Sequence, residues 1–278
     1  MNISETKEKI LDLYLKSLKI TTQDYYHHPV RLVQAVKSII GVNIEKPITD
    51  LLVFCEDYID KFEIIDDDVS YAINETPLMV SYKNLEEALL TKDRSKALKA
   101  LNELKGVSEG SQVFEFFIEY SLKYSNESLL IIWSIYRMSL FSNRKFVNQE
   151  FLLCIDSVLN STKKLDFKMV NLVSIKNKEN LNCIDLYHVL NSVYYSKTVR
   201  NEKMRKYLSM FDKYYNKDIT SAKYYSRDVL WNYVNDLKYE DLSIHNILEV
   251  DGLRAMMKTI EDEKMNPQEL YSIIDNYK

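Results

Sequence analysis

Only four glycines and four prolines punctuate the 278 residues of this chain, where an average soluble sequence of that length carries roughly 19 and 14. Tight hairpins, bulged sheets and phosphate-cradling loops all draw on glycine, because it alone takes positive φ without steric cost. The residues are nonetheless 46% hydrophobic, so the chain has ample apolar surface to bury. Helices joined by short polar turns satisfy both facts. The expected fold is all-α: an irregular multi-helix bundle or degenerate α-helical array built from antiparallel pairs, with at most one or two short strands near 165–175.

The few breakers sit where helices begin and end. Pro29, Pro77 and Pro267 each suit a first helical position, where the missing N–H is harmless, and Gly41 closes the helix begun at Pro29. That helix presents Leu32, Val33, Val36, Ile39 and Ile40 at helical spacing. Residues 4–19 form another, capped by Ser4, and Thr49 caps a third carrying Leu52, Cys55, Ile59 and Phe62. Leu85–Leu90 and Ala97–Leu104 read as a helical hairpin turning at Thr91-Lys92-Asp93. Val113, Phe117, Tyr120 and Tyr124 make one apolar stripe. The segment 127–141 is apolar nearly all round, as a central helix would be. Leu165–Ile175 is the one stretch compatible with a strand. A boundary placed there divides an N-terminal helical subdomain, 1–162, from a C-terminal one, 163–278. Further helices are expected near 183–196, 199–215, 219–236, 240–249, 252–263 and 267–276.

Several function classes are disfavoured at this stage. Phosphate loops and nucleophile elbows need clustered glycines, and Gly41, Gly106, Gly110 and Gly252 make no such motif. The uninterrupted apolar run Leu129–Trp133 is far short of the ~20 residues that span a bilayer, so no membrane span is expected. Cys55, Cys154 and Cys183 lack metal or redox spacing and read as free buried thiols, which with the absence of a leader-like start suggests a cytoplasmic protein. No cofactor or metal is expected.

Three features carry what functional signal there is. Asp24-Tyr25-Tyr26-His27-His28 precedes the Pro29 helix. Its adjacent imidazoles could ligate a metal or transfer protons, with Asp24 orienting one ring. The structural alternative makes His28 a helix cap and packs His27 with the tyrosines in a surface turn. Arg137 falls inside the most apolar helix. If buried it must be paired, Glu115 and Glu119 being the natural partners, and it would then anchor a pocket; otherwise its head reaches water. His188 and His245 stand at helical spacing from Asp185 and from Asp241 and Glu249, and are read as members of surface ion pairs.

The third feature is a basic, aromatic stretch, 194–227, with nine basic residues against three acidic and seven tyrosines, in a chain of formal charge −4. Lys203, Arg205, Lys206, Tyr207, Tyr214 and Tyr215 lie at its centre. Such interleaving suits single-stranded nucleic acid, or docking onto acidic surface such as Glu56, Asp57, Asp60, Glu63 and Asp66–Asp68, or two plain amphipathic helices. The leading expectation is therefore a protein–protein interaction or scaffold protein with a helical groove, partnered by another protein or by itself. An enzyme with an all-helical pocket using the Asp24–His28 cluster, and a single-stranded nucleic-acid binder through 194–227, are the alternatives.

Overall fold

A computed structural model describes residues 1–65, 81–108, 110–124, 127–162, 188–190, 192–194, 196, 198–199, 202 and 239–261. The protein is all-α, and no strand occurs among the described residues. The segment near 165–175, the subdomain boundary beside it and the core of the basic stretch lie outside them. Among the described residues of the first part of the chain, eight helices follow one another: α1 (Ile3–Ser17), α2 (Pro29–Ile40), α3 (Thr49–Ile59), α4 (Tyr82–Leu90), α5 (Arg94–Lys105), α6 (Gly110–Lys123), α7 (Ser128–Phe141) and α8 (Val147–Asn160). A short 3-10 turn at Tyr239–Asp241 leads into α9 (Ile244–Glu261). No helix among the described residues is long and apolar enough to cross a membrane.

Local chemistry explains the starts and stops. Asn2, not Ser4, caps α1: its side chain accepts the Glu5 N–H while Glu5 reaches back to the Asn2 N–H, both at 2.9 Å. This reciprocal arrangement satisfies two donors that the first turn would otherwise leave unpaired. Thr49 is the first residue of α3 rather than its cap, and Ile48 before it makes no capping bond. Asp93 caps α5 by accepting the Lys96 N–H at 3.0 Å. The segments 240–249 and 252–263, expected as two helices, are one. Gly252 is buried within α9, and a mid-helix glycine costs only about 1 kcal/mol, which tertiary packing readily offsets.

Turns that most proteins would build with glycine use other residues here. Lys92 has φ 55°, and Asn143 and Arg144 have φ 54° and 61°. After α4, the Asp93 N–H bonds the Ala88 carbonyl (2.9 Å) and the Lys92 N–H bonds that of Leu89 (3.2 Å). After α7, Arg144 and Asn143 repeat the pattern on Ser139 and Leu140. Both are Schellman stops, which recover the orphan carbonyls of a helix end by sending one residue left-handed.

Two helices organise the packing. α2 touches α1, α3, α7 and α9, and buries every residue but Lys37. α7 touches α2, α6 and α8, and keeps Leu129–Ile135 wholly inside. The α4–α5 hairpin docks on α8, where Arg94 grips Asp156 with two bonds of 2.7 and 3.0 Å. Phe114, Phe151, Trp133 and Tyr136 form the aromatic centre, with Phe114 and Phe151 rings 4.9 Å apart. Cys55 and Cys154 are free and buried, as expected.

Candidate functional site

The turn that enters α2 is held by its own side chains. One oxygen of Asp24 accepts the N–H groups of Tyr26 and His27, each at 3.1 Å, and the other meets His27 Nδ1 at 2.8 Å. Partial burial pushes the Asp24 carboxyl up, but these hydrogen bonds outweigh it and the net shift is downward. Tyr25 is buried and donates to the Ser157 carbonyl at 2.9 Å. The Tyr26 carbonyl accepts from Arg31, itself only 3% exposed.

The two histidines have different fates. His28 is the N-cap of α2: Nδ1 accepts the Val30 N–H at 3.2 Å, and Nε2 lies 3.2 Å from the Ile20 carbonyl. Those partners demand the neutral ring with its proton on Nε2. Burial accordingly lowers its pKa to about 4, the nearby Arg31 charge adding to the shift. Both ring nitrogens are engaged, so His28 is a structural residue. His27 remains half-buried at the surface.

Helix α9 lies alongside α2 in the same direction, His245 standing beside His27 and Asp251 beside Gln34. The His27 and His245 rings meet edge to face with centroids 6.5 Å apart. His245 Nε2 approaches Glu249 Oε1 to 3.1 Å across one helical turn. Each imidazole thus has a carboxylate of its own. Among the described residues no three histidine, cysteine or carboxylate groups gather closely enough to hold a metal.

Deeper along the seam is a buried polar centre. Asp251, 3% exposed, receives Arg254 Nε on one oxygen at 2.7 Å and Gln34 Nε2 on the other at 3.0 Å. Gln34 also donates to Ser38 at 2.9 Å, and Ser134 of α7 lies 3.5 Å from its carbonyl oxygen. Burial pushes the Asp251 carboxyl up, yet Arg254, His188 and Gln34 hold it below the ordinary carboxylate value. Arg137 on α7 is half-buried, and the Asp251 carboxylate and the Arg254 charge act on its ionisation in opposite senses. Burial lowers the Arg137 pKa, and neither His27 nor His28 is among the groups that influence it. His188 is buried rather than at the surface, with Ser192 at 3.2 Å, and its expected neighbour Asp185 lies outside the described residues.

Beside the histidine turn stands a third feature. Tyr58 of α3 donates to the His27 carbonyl at 2.9 Å, and burial with the nearby Asp24 charge pushes its hydroxyl up to about 12. Phe54, Tyr58 and Phe62 stack along α3 at 6.4 and 5.3 Å, and Tyr239 continues the row onto Phe54 at 6.1 Å. Tyr239 also bonds Asp57. Val53, Asp57, Asp60 and Glu63 are exposed along this ridge. A separate open concavity of about 420 Å³ lies between α4 and α5, walled by Glu87, Lys96, Lys99 and Glu103 among others.

The sequence-derived binding residues Lys203, Arg205, Lys206, Tyr207, Tyr214 and Tyr215 lie outside the described residues. The residues missed were Gln34, Asp251 and Arg254. Gln34 stands in an otherwise apolar helix face, the same oddity that marked Arg137, and Asp251 and Arg254 are i, i+3 neighbours. Comparison with protein-family models, with curated proteins and with solved structures gives no match to this chain.

Proposed function

We propose that this is a helical protein-interaction module whose partner docks on the α3 ridge. The observation that carries this reading is the row Tyr239–Phe54–Tyr58–Phe62, half-exposed and bordered by Val53 (48% exposed), Ile64 (42%) and Ile65 (47%). Rigid aromatic rings supply large contact area at small entropic cost and dominate the energetics of interfaces. Asp57, Asp60 and Glu63 beside them favour a partner surface that is basic and apolar. The chemistry-bearing groups elsewhere are engaged inside the fold: His28 with backbone, Asp251 with Arg254 and Gln34. The enzyme reading draws support only from half-buried His27 and its neighbour His245.

Site-specific photo-crosslinking in cells of the source organism tests the proposal. A crosslinker at Val53 should trap one discrete partner, and Asp60→Lys with Phe62→Ser should abolish that adduct while leaving the helical circular dichroism spectrum intact. The same crosslinker at Lys99, in the α4–α5 concavity, should trap none. Equal labelling from both positions, or none from Val53, sinks the idea.

A further inference from the structure

Three of the four rings on the ridge come from the α3 segment, and the fourth does not. Tyr239 arrives from the 3-10 turn ahead of α9, 182 residues from Asp57 in sequence. Its ring meets Phe54 edge to face, with centroids 6.1 Å apart and planes at 66°. Its hydroxyl meanwhile donates to the Asp57 carboxylate. Phe54 and Asp57 are i, i+3 neighbours, so α3 offers a ring and an acid side by side on one face. Tyr239 engages both at once.

The neighbouring groups leave that pair as the distinctive seat on the ridge. Glu56, one residue before Asp57, is engaged by Lys9 of α1 at 2.5 Å. Tyr58 directs its hydroxyl inward, onto the His27 carbonyl. Phe54 and Phe62 have no hydroxyl to offer. A tyrosine side chain therefore fits the seat as a unit, its ring on Phe54 and its donor on Asp57, and the chain supplies its own example.

That example is lightly held. Tyr239 keeps 40% exposure, so water competes for its bond to Asp57 and the net gain is small. The turn that carries it is only three residues long, too short to be a stable element by itself. Leu242, just beyond, is buried and bonds back to the Tyr239 carbonyl at 3.1 Å. Rotation of the Tyr239 side chain is thus enough to uncover Phe54 while Leu242 stays in the core.

We propose that Phe54 and Asp57 form a seat for a tyrosine side chain and that Tyr239 is its internal occupant, which a tyrosine of the docking partner must displace. The inference rests on the reading of the α3 ridge as a docking surface. It adds the partner's chemistry, a tyrosine-bearing segment, and a built-in contact that opposes docking.

The test uses the full chain with 4-fluorophenylalanine in place of Phe54, its fluorine resonance followed by NMR during titration with N-acetyl-tyrosinamide. In Tyr239→Ala the resonance should shift saturably, with a midpoint about threefold or more below that of the parent. A competitor on a short tether acts at millimolar effective concentration, enough to mask so small a ligand. Tyr239→Phe, which keeps the ring and loses the bond to Asp57, should fall between. N-acetyl-phenylalaninamide should bind Tyr239→Ala more weakly than the tyrosine amide, and Asp57→Ala in that background should erase the difference. Equal midpoints in the parent and Tyr239→Ala overturn the proposal, as does the lack of a saturable shift in both. The crosslink from Val53 decides the docking reading separately. An adduct without the difference in midpoints keeps the ridge and rejects the competitor; the reverse result keeps the tyrosine seat and rejects the ridge as a docking surface.

Discussion

The carboxyl of Glu150 enters the core with no exposure, where Tyr14 donates to one oxygen at 3.0 Å. Its other oxygen has no hydrogen-bonding partner among the described residues. Burial pushes its pKa from 4.5 up to about 7, against the pull of the Ser139 and Tyr14 hydroxyls and of Arg144. Between those pH values the native protein keeps a proton that the unfolded chain has released, so stability falls as pH rises, by roughly 3 kcal/mol in all. His28 works the other way. Its native value of about 4 lies below the ordinary 6.5, so stability falls by roughly 3 kcal/mol as pH drops through that window. The two slopes oppose each other between about pH 4.5 and 6.5. Glu150→Gln should therefore expose the histidine slope, giving a protein that gains stability with rising pH across that range and loses none from 6.5 to 7. Urea unfolding at several pH values checks this; an unchanged profile would remove Glu150 as the source. His28 was legible as a cap because Pro29 follows it. What faces Arg137 was not legible, because nothing local says which distant helix packs beside it.

At the level of elements, the two Schellman stops place Lys92 and Asn143 in a conformation that costs an L-residue roughly 1–2 kcal/mol. Lys92 is exposed, and its side chain carries no bond that the turn needs. Lys92→Gly should raise stability by about 0.5–1 kcal/mol, read as a shift in denaturation midpoint at constant slope; part of the relieved strain is lost to the greater freedom of glycine when unfolded. A destabilised variant would show that Lys92 stabilises the turn in some other way. Helix periods were plain in the sequence, and so was the hairpin at Thr91-Lys92-Asp93. Boundaries were less so: Ser4 and Thr49 look as good a cap as Asn2 on paper. The reciprocal Asn2–Glu5 bonds choose Asn2 over Ser4, Thr49 falls inside α3, and α9 runs unbroken through Gly252.

For the whole molecule, α2 and α7 cross at the middle and a single apolar cluster surrounds them. Trp133, 2% exposed, lies against Tyr136 in that cluster. Trp133→Ala should cost about 3–5 kcal/mol by cavity formation, measured by equilibrium unfolding; a loss below about 1 kcal/mol would mean the centre collapses freely around the gap. Class and central helix could be read from composition and from the apolar run after Leu129. The pairing of α2 with α9 could not, since their mutual recognition rests on Gln34 and Asp251, polar residues in apolar faces. That bond joins positions 217 residues apart. A ribosome adding about 5–20 residues per second separates the birth of the two side chains by roughly 10–40 s. Throughout that interval the nascent polypeptide must shield one flank of α2 by other means, so a stalled or shortened product would present that flank to chaperones and proteases.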